Sequence, residues 1–201
     1  CFYLGVSFFA PTTTNEPYSP MKNDSQRFGT ALKQDPGNVQ LLIETARHFI
    51  NSKKPGKFLD LFEHIYEQKE ITLLPPQIIF SVGQTALQNQ RWNLACELLG
   101  ILQKKDRYSP PLISPLSEAL IKSGRLSEAK RVLEEAIHGQ PKPDPELLTN
   151  FAITLSETGD YDYAEKVYRQ VVETRPNEFL GHYNLGGFLR QLGRDHEAIQ
   201  C

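Results

Sequence analysis

Cysteine is scarce and poorly placed for chemistry: the chain's three are Cys1, Cys96 and Cys201. An odd number without close spacing makes neither a disulfide framework nor a metal site, so Cys96 is expected as a small buried hydrophobe. A charge excess is also missing. The 22 Lys and Arg nearly balance the 24 Asp and Glu, for a net charge of −2, and no run of five like charges occurs. A nucleic-acid binder would carry a basic patch or stripe, so nucleic acid is not an expected partner. No apolar run is long enough to span a bilayer. The five histidines include no pair at i, i+4 and no HExxH, so neither a metal nor a catalytic zinc is expected. No glycine-rich phosphate loop follows a strand, and no nucleophile stands beside a base. The neighbouring acids Glu134–Glu135 and Asp160/Asp162 read as a solvated helix face and an N-capping turn. No catalytic residue and no cofactor is expected.

What the chain does have is enough apolar and aromatic material for a core: 11 Phe, 8 Tyr and one Trp, too many for a disordered chain. The first twenty residues stand apart. The run CFYLGVSFFA admits three readings: the remnant of a signal peptide, a translated stretch foreign to the protein, or a buried strand or helix. Pro11–Pro20 carries three prolines in ten residues and is expected to be irregular. The cytoplasm is the expected compartment, with export or a periplasmic location if residues 1–10 are a signal remnant.

From residue 21 onward a repeat dominates. Gly124, Gly159 and Gly193 open the steps GRLSEA, GDYDYA and GRDHEA, and equivalent steps start at Gln90 (QRWNLA) and Gly56 (GKFLDL). Their spacing is 34 or 35. Ahead of each step an apolar i, i+3, i+4, i+7 pattern marks one helix, as at Leu148, Phe151, Ala152 and Leu155. After it a second pattern follows, as at Ala164, Val167, Tyr168 and Val171, and Pro176 ends it. The unit is helix, tight turn, helix, proline. The glycine is expected to end the first helix in the left-handed conformation, with Asn89 taking that role where Gln90 stands in place of glycine. Residues 21–36 read as a lone second helix. The chain stops within a helical pattern, so the last repeat reads as truncated, with Leu185 and Leu189 poorly shielded and self-association through the uncovered end.

These residues resemble the tetratricopeptide repeat family. A small residue falls in the middle of each first helix: Ala46, Gly83, Ser117, Ala152 and Gly186. Ala95, Ala129, Ala164 and Ala198 fall early in the second helices, with Leu61 in the first unit. Bulky Ile65, Leu99, Leu133 and Tyr168 follow four places later. The closing proline is matched by Pro141 and Pro176, while Leu73 and Arg107 stand in its place earlier, and the first unit carries an insertion around Lys53–Gly56. The resemblance implies an all-α, right-handed α-solenoid of stacked helix-turn-helix repeats, about ten helices in antiparallel pairs, with first helices lining a concave groove.

That groove is the expected site of function. Its inward positions include Gln84, Glu118, Lys122, Glu146, Asn150 and Asn184, mostly polar, which disfavours an amphipathic helix ligand and suits an extended peptide with its regular donors and acceptors. Asn150 and Asn184 share one offset, 34 residues apart, and in similar repeats such amides form a ladder along the groove. The positions of the family's carboxylate clamp hold Thr149, Ile153, Tyr183 and Gly187 instead, so that partner is not expected. His182 reads as a packing or interface residue, and Ser114 is expected to cap a helix whose first residue is Pro115. The expected function is a non-enzymatic scaffold that binds a protein or peptide in the groove. The alternative is the substrate-recognition arm of a larger enzyme, such as a glycosyltransferase or sulfotransferase, with its catalytic domain beyond residue 201.

Overall fold

The computed structural model describes residues 38–50, 74–104, 109–138 and 140–201, together with Thr30, Ala31, Gln34, Asp35, Gly56, Leu59, Asp60, Phe62 and Glu63. The expectations for residues 1–20, for most of residues 21–36, for Leu61, Ile65, Leu73 and Arg107, and for the insertion other than Gly56 lie outside these residues. Among the described residues there are nine helices and no strand: α1 (Val39–Ile50), α2 (Pro76–Gln88), α3 (Trp92–Gln103), α4 (Pro110–Lys122), α5 (Leu126–His138), α6 (Pro145–Glu157), α7 (Tyr161–Thr174), α8 (Phe179–Gln191) and α9 (Asp195–Ile199). The expected all-helical solenoid is what forms.

The even-numbered helices and α1 are first helices; α3, α5, α7 and α9 are second helices. From α2 onward each first helix packs on its own second helix, and the first helices pack in turn on one another: α1 on α2, α2 on α4, α4 on α6, α6 on α8. Among the described residues, successive second helices do not meet one another to that degree. The first helices therefore form the inner, concave layer. No unit could bury its apolar face alone, and stacking gives one continuous core from Leu42 to Leu189. Leu59 and Phe62, on the helical stretch between α1 and α2, are fully buried in it.

The small residues sit where the helices cross. Ala46, Ala95, Ser117, Ala129, Ala152 and Ala164 are all fully buried. A Cβ on Gly83 would lie 2.9 Å from Leu99 Cδ2, and one on Gly186 would lie 3.2 Å from the Ala198 carbonyl oxygen. These contacts are the close approach that the small-residue pattern encodes, with bulky neighbours filling the grooves on either side.

The turns repeat with the sequence. The residue after the turn donates its N–H to a carbonyl near the end of the first helix in all four: Arg91 to Ala86 (2.9 Å), Arg125 to Leu120 (2.8 Å), Asp160 to Leu155 (2.8 Å) and Arg194 to Leu189 (2.9 Å). The turn residue itself donates to a carbonyl one position further on, as Gly159 does to Ser156 (3.1 Å). This paired geometry is the Schellman motif, which satisfies the last carbonyls of the helix. It needs a left-handed residue: Gly124, Gly159 and Gly193 have φ of 76°, 84° and 75°. In the remaining turn the expectation of Asn89 is overturned. Asn89 has φ −97° and its side-chain amide donates to the Thr85 carbonyl (2.8 Å), whereas Gln90 takes φ 60°. The position in the repeat, not the residue's preference for that conformation, decides who occupies it. A left-handed conformation costs a non-glycine residue about 1–2 kcal/mol, partly offset by glycine's larger entropy loss on folding. Gln90→Gly is therefore expected to raise stability by roughly 0.5–1 kcal/mol and Gly159→Ala to lower it by about 1 kcal/mol. Urea unfolding of the two variants checks the opposite signs.

Three other local expectations are corrected. Pro115 lies inside α4, not at its start. Ser109 holds the N-cap position and Pro110 and Pro111 fill the first turn, where a missing N–H leaves no carbonyl orphaned. Ser114 is thus a buried mid-helix residue. Asp160 stands at the N-cap of α7, but its side chain makes no capping bond; its carboxylate accepts from Lys130 Nζ on α5 (2.5 Å) and ties two repeats together. Finally, Leu185 and Leu189 are not poorly shielded: they are 4% and 1% exposed, because α8 is covered by α7 on one side and by the short α9 on the other. Phe188 also faces inward, 5.1 Å from the Tyr168 ring. That ring's burial pushes the Tyr168 hydroxyl up to about 12.

Ion pairs lie along the second helices and the turns. Glu165 on α7 accepts from Arg194 (2.5 Å) and Arg169 (2.7 Å), and Arg194 also reaches Glu197 (2.6 Å). The hydrogen bond from Arg194, first, holds the Glu165 carboxyl below its usual range; the same guanidinium lowers Glu197. A depressed carboxyl contributes stability above its unfolded pKa of 4.5, and that stability is lost as pH falls through the folded value. The melting temperature is expected to fall as the pH drops below the ordinary carboxyl value of 4.5 and to fall less steeply in Arg194→Ala. Equal slopes in thermal scans would remove the linkage.

Candidate functional site

Two cavities open on the first-helix layer. The middle one, about 590 Å³, spans α2, α4 and the start of α6. Phe80, Leu87, Pro111, Pro115 and Leu147 supply its apolar surface, and Gln84, Gln88, Glu118, Asp144 and Glu146 its polar surface. The second, about 740 Å³, lies between α6, α8 and α9 and is lined by Ile153, Glu157, Phe179, Tyr183, Asn184 and Arg190 among others.

The expected site residues divide between them. Gln84, Glu118 and Glu146 come together in the middle groove, each exposed. Asn184 lines the second cavity. Lys122 is exposed at the end of α4 and lines neither; Asn150 also lines neither. Asn150 is half-buried, and its Nδ2 donates to Ser117 Oγ (3.0 Å) and to the Ser114 carbonyl (3.3 Å) on α4. Its amide therefore binds the preceding repeat. Asn184 cannot copy the first of these bonds, because the residue equivalent to Ser117 one repeat later is Ala152, which has no hydroxyl. The two amides are not equivalent rungs.

A polar cluster links α4 to α6 at this groove. Ser114, 7% exposed, donates its hydroxyl to Glu146 Oε1, while its carbonyl accepts from Asn150. Asp144 caps α6 in the expected way for an acid before a proline, its Oδ1 accepting the Glu146 N–H (2.8 Å). Sequence reasoning missed Ser114 by misplacing the start of α4. It missed Asp144 although the Asp-Pro pair was a helix-start signal.

The groove is less uniformly polar than expected at its far end. Phe179 and Tyr183, one turn apart on α8, are 78% and 64% exposed, with ring centroids 5.7 Å apart. The i, i+4 aromatic spacing on a first helix was the available signal. His182 packs as expected, a ring nitrogen bonded to the Pro176 carbonyl (2.8 Å). Cys96 is buried, its Sγ 3.5 Å from Ser123 Oγ, and burial pushes its thiol up, so it stays a neutral hydrophobe. Among the described residues no three metal-ligating side chains converge, and no helix is long and apolar enough to cross a membrane.

Comparison with known proteins agrees with this geometry. The sequence model of the tetratricopeptide repeat matches residues 120–183. A TPR repeat-containing protein of Dictyostelium discoideum is 36% identical over 88 residues, 40% of this chain and 33% of that protein; the chain spans about a third of the length of this curated relative. Among solved structures, YrrB, described as a TPR protein with an unusual peptide-binding site, superposes with a TM-score of 0.58 at 16% identity, over 88% of this chain and 89% of its own. MamA from Desulfovibrio magneticus gives 0.62 at 14%, over 81% and 89%. A thermophilic TPR protein of Thermus thermophilus gives 0.56 at 19%, over 89% and 86%. At these identities the structural likeness establishes the fold. Repeat spacing, helix-pair packing, turn geometry and sequence match agree: residues 120–183 match the tetratricopeptide repeat, and the described helices have the fold of tetratricopeptide repeat proteins.

Proposed function

We propose that the chain is a non-enzymatic interaction module whose first-helix groove binds an extended segment of another protein. The observation that carries this is the middle groove: a cavity of about 590 Å³ in which amide and carboxylate side chains stand beside an apolar surface. An extended segment presents backbone donors and acceptors at every residue, which Gln84 and Gln88 can meet whatever the side chains are. Its apolar side chains have Phe80, Leu87 and Pro111 to cover. The fold relative YrrB, itself described as having a peptide-binding site, supports the reading.

The test is selection of random displayed peptides on the purified chain. Peptides should be enriched, and their binding should be lost in Gln84→Trp, which fills the groove from an exposed position, but kept in Lys166→Trp, on the exposed side of α7. Absence of enrichment, or equal binding to Gln84→Trp, would refute the reading.

A further inference from the structure

Charge in this molecule is distributed unevenly between the two helix layers. Among the described residues, the ion pairs join side chains of second helices and turns: Arg91 with Asp60 and Glu63, Lys130 with Asp160, Arg194 with Glu165 and Glu197. The middle groove is the reverse. Glu118, Asp144 and Glu146 line it, no Lys or Arg does, and none of the three carboxylates takes part in an ion pair among the described residues. Asp144 is partly balanced, since it caps the N-terminus of α6. Glu118 is exposed on α4. Glu146 is held in place by the buried Ser114 hydroxyl, which leaves its second oxygen for another donor.

Resting on the peptide-groove reading, we propose that the middle groove takes an extended segment carrying Lys or Arg, with Glu118 and Glu146 receiving its cations and the surface at Phe80 and Leu87 receiving the side-chain stems. A long basic side chain suits such a lining, because its methylenes cover apolar surface while its charged tip reaches the rim. Exposed carboxylates attract a cationic segment before contact and lose that attraction as salt rises. An acidic segment would face like charge with no cation in the lining to relieve it.

The test measures fluorescence anisotropy of three labelled twelve-residue peptides on the whole chain: repeats of Ser-Lys-Ala, Ser-Gln-Ala and Ser-Glu-Ala. The lysine peptide should bind tightest and the glutamate peptide weakest. Glu118→Gln with Glu146→Gln should weaken the lysine peptide roughly tenfold, about what two exposed pairs supply together. Glu173→Gln, removing an exposed acid from α7, should leave it unchanged, and raising the salt should weaken it. Glutamine at 146 keeps an acceptor for Ser114, so the fold is retained. If the glutamine peptide binds as tightly as the lysine peptide, the charge inference falls and the peptide groove stands. If the Glu118/Glu146 variant binds like the parent, or Glu173→Gln loses as much, the cations bind elsewhere and the inference falls. If none of the three peptides binds, the inference and the groove reading fall together.

Discussion

Phe151→Ala is expected to destabilise the protein by about 3–5 kcal/mol, the cost of replacing a buried phenylalanine with a void. Phe151 lies on α6, the first helix of the repeat with the fullest set of neighbours, and is 3% exposed. Its ring meets Tyr163 of α7 edge-on, with centroids 5.7 Å apart and planes at 89°. The edge-to-face pair adds roughly 0.5–1.5 kcal/mol beyond burial, and a double-mutant cycle with Tyr163→Ala isolates that part. A solenoid's stability is a sum of repeat and neighbour-interface terms, so the loss should fall most heavily on α6 and α7. Hydrogen exchange should rise there before it rises in α2 and α3. A loss below about 1 kcal/mol in urea unfolding would mean that the pocket around Phe151 collapses freely, contrary to the packing described.

Ala164→Phe tests the register of the repeat from the opposite side. Ala164 is fully buried at the start of α7, where the small residue lets the paired helices approach. A phenyl ring has no space there, and overpacking of this kind costs about 1–3 kcal/mol. For a domain of this size that lowers the melting temperature by roughly 2–12 °C. Lys166→Phe, two residues along and exposed, should change stability by no more than about 0.5 kcal/mol. Equal melting temperatures for Ala164→Phe and the parent would place the helix crossing elsewhere.

The architecture was legible because its cause is periodic. The regular spacing of Gly124, Gly159 and Gly193 maps onto three left-handed turns, and the same register finds Gln90 in the fourth. The alanines early in the second helices, from Ala95 to Ala164, are buried where the pattern puts them. What was not legible was decided by neighbours beyond the local residue preference. Asn89 has the better preference for a left-handed turn, yet the hydrogen bond from the Arg91 N–H to the Ala86 carbonyl fixes the turn one residue later. Asp160 has the right residue type for a cap, but Lys130, thirty residues away, takes its carboxylate. Leu185 and Leu189 looked uncovered when the chain's end was counted residue by residue; the short α9 and the face of α7 suffice to bury them.

The candidate site was legible in part for the same reason. Helical phase placed Gln84, Glu118 and Glu146 on one layer, and they do share a groove. Phase alone does not tell which polar groups hold the repeats to one another. Asn150 is directed inward, but the hydroxyl of Ser117 and the carbonyl of Ser114 take its amide. Ser117 is there because a small residue is needed at the crossing, and serine brings a hydroxyl that alanine at 152 does not.

The most direct test of the groove is the map of backbone amide shifts in nuclear magnetic resonance when a selected peptide is added to the whole chain. Binding in the groove predicts that the shifted amides cluster on α2, α4 and the first turn of α6, around Gln84, Glu118 and Glu146. A cluster on the second helices α3, α5 and α7, with these first-helix amides unmoved, would contradict it.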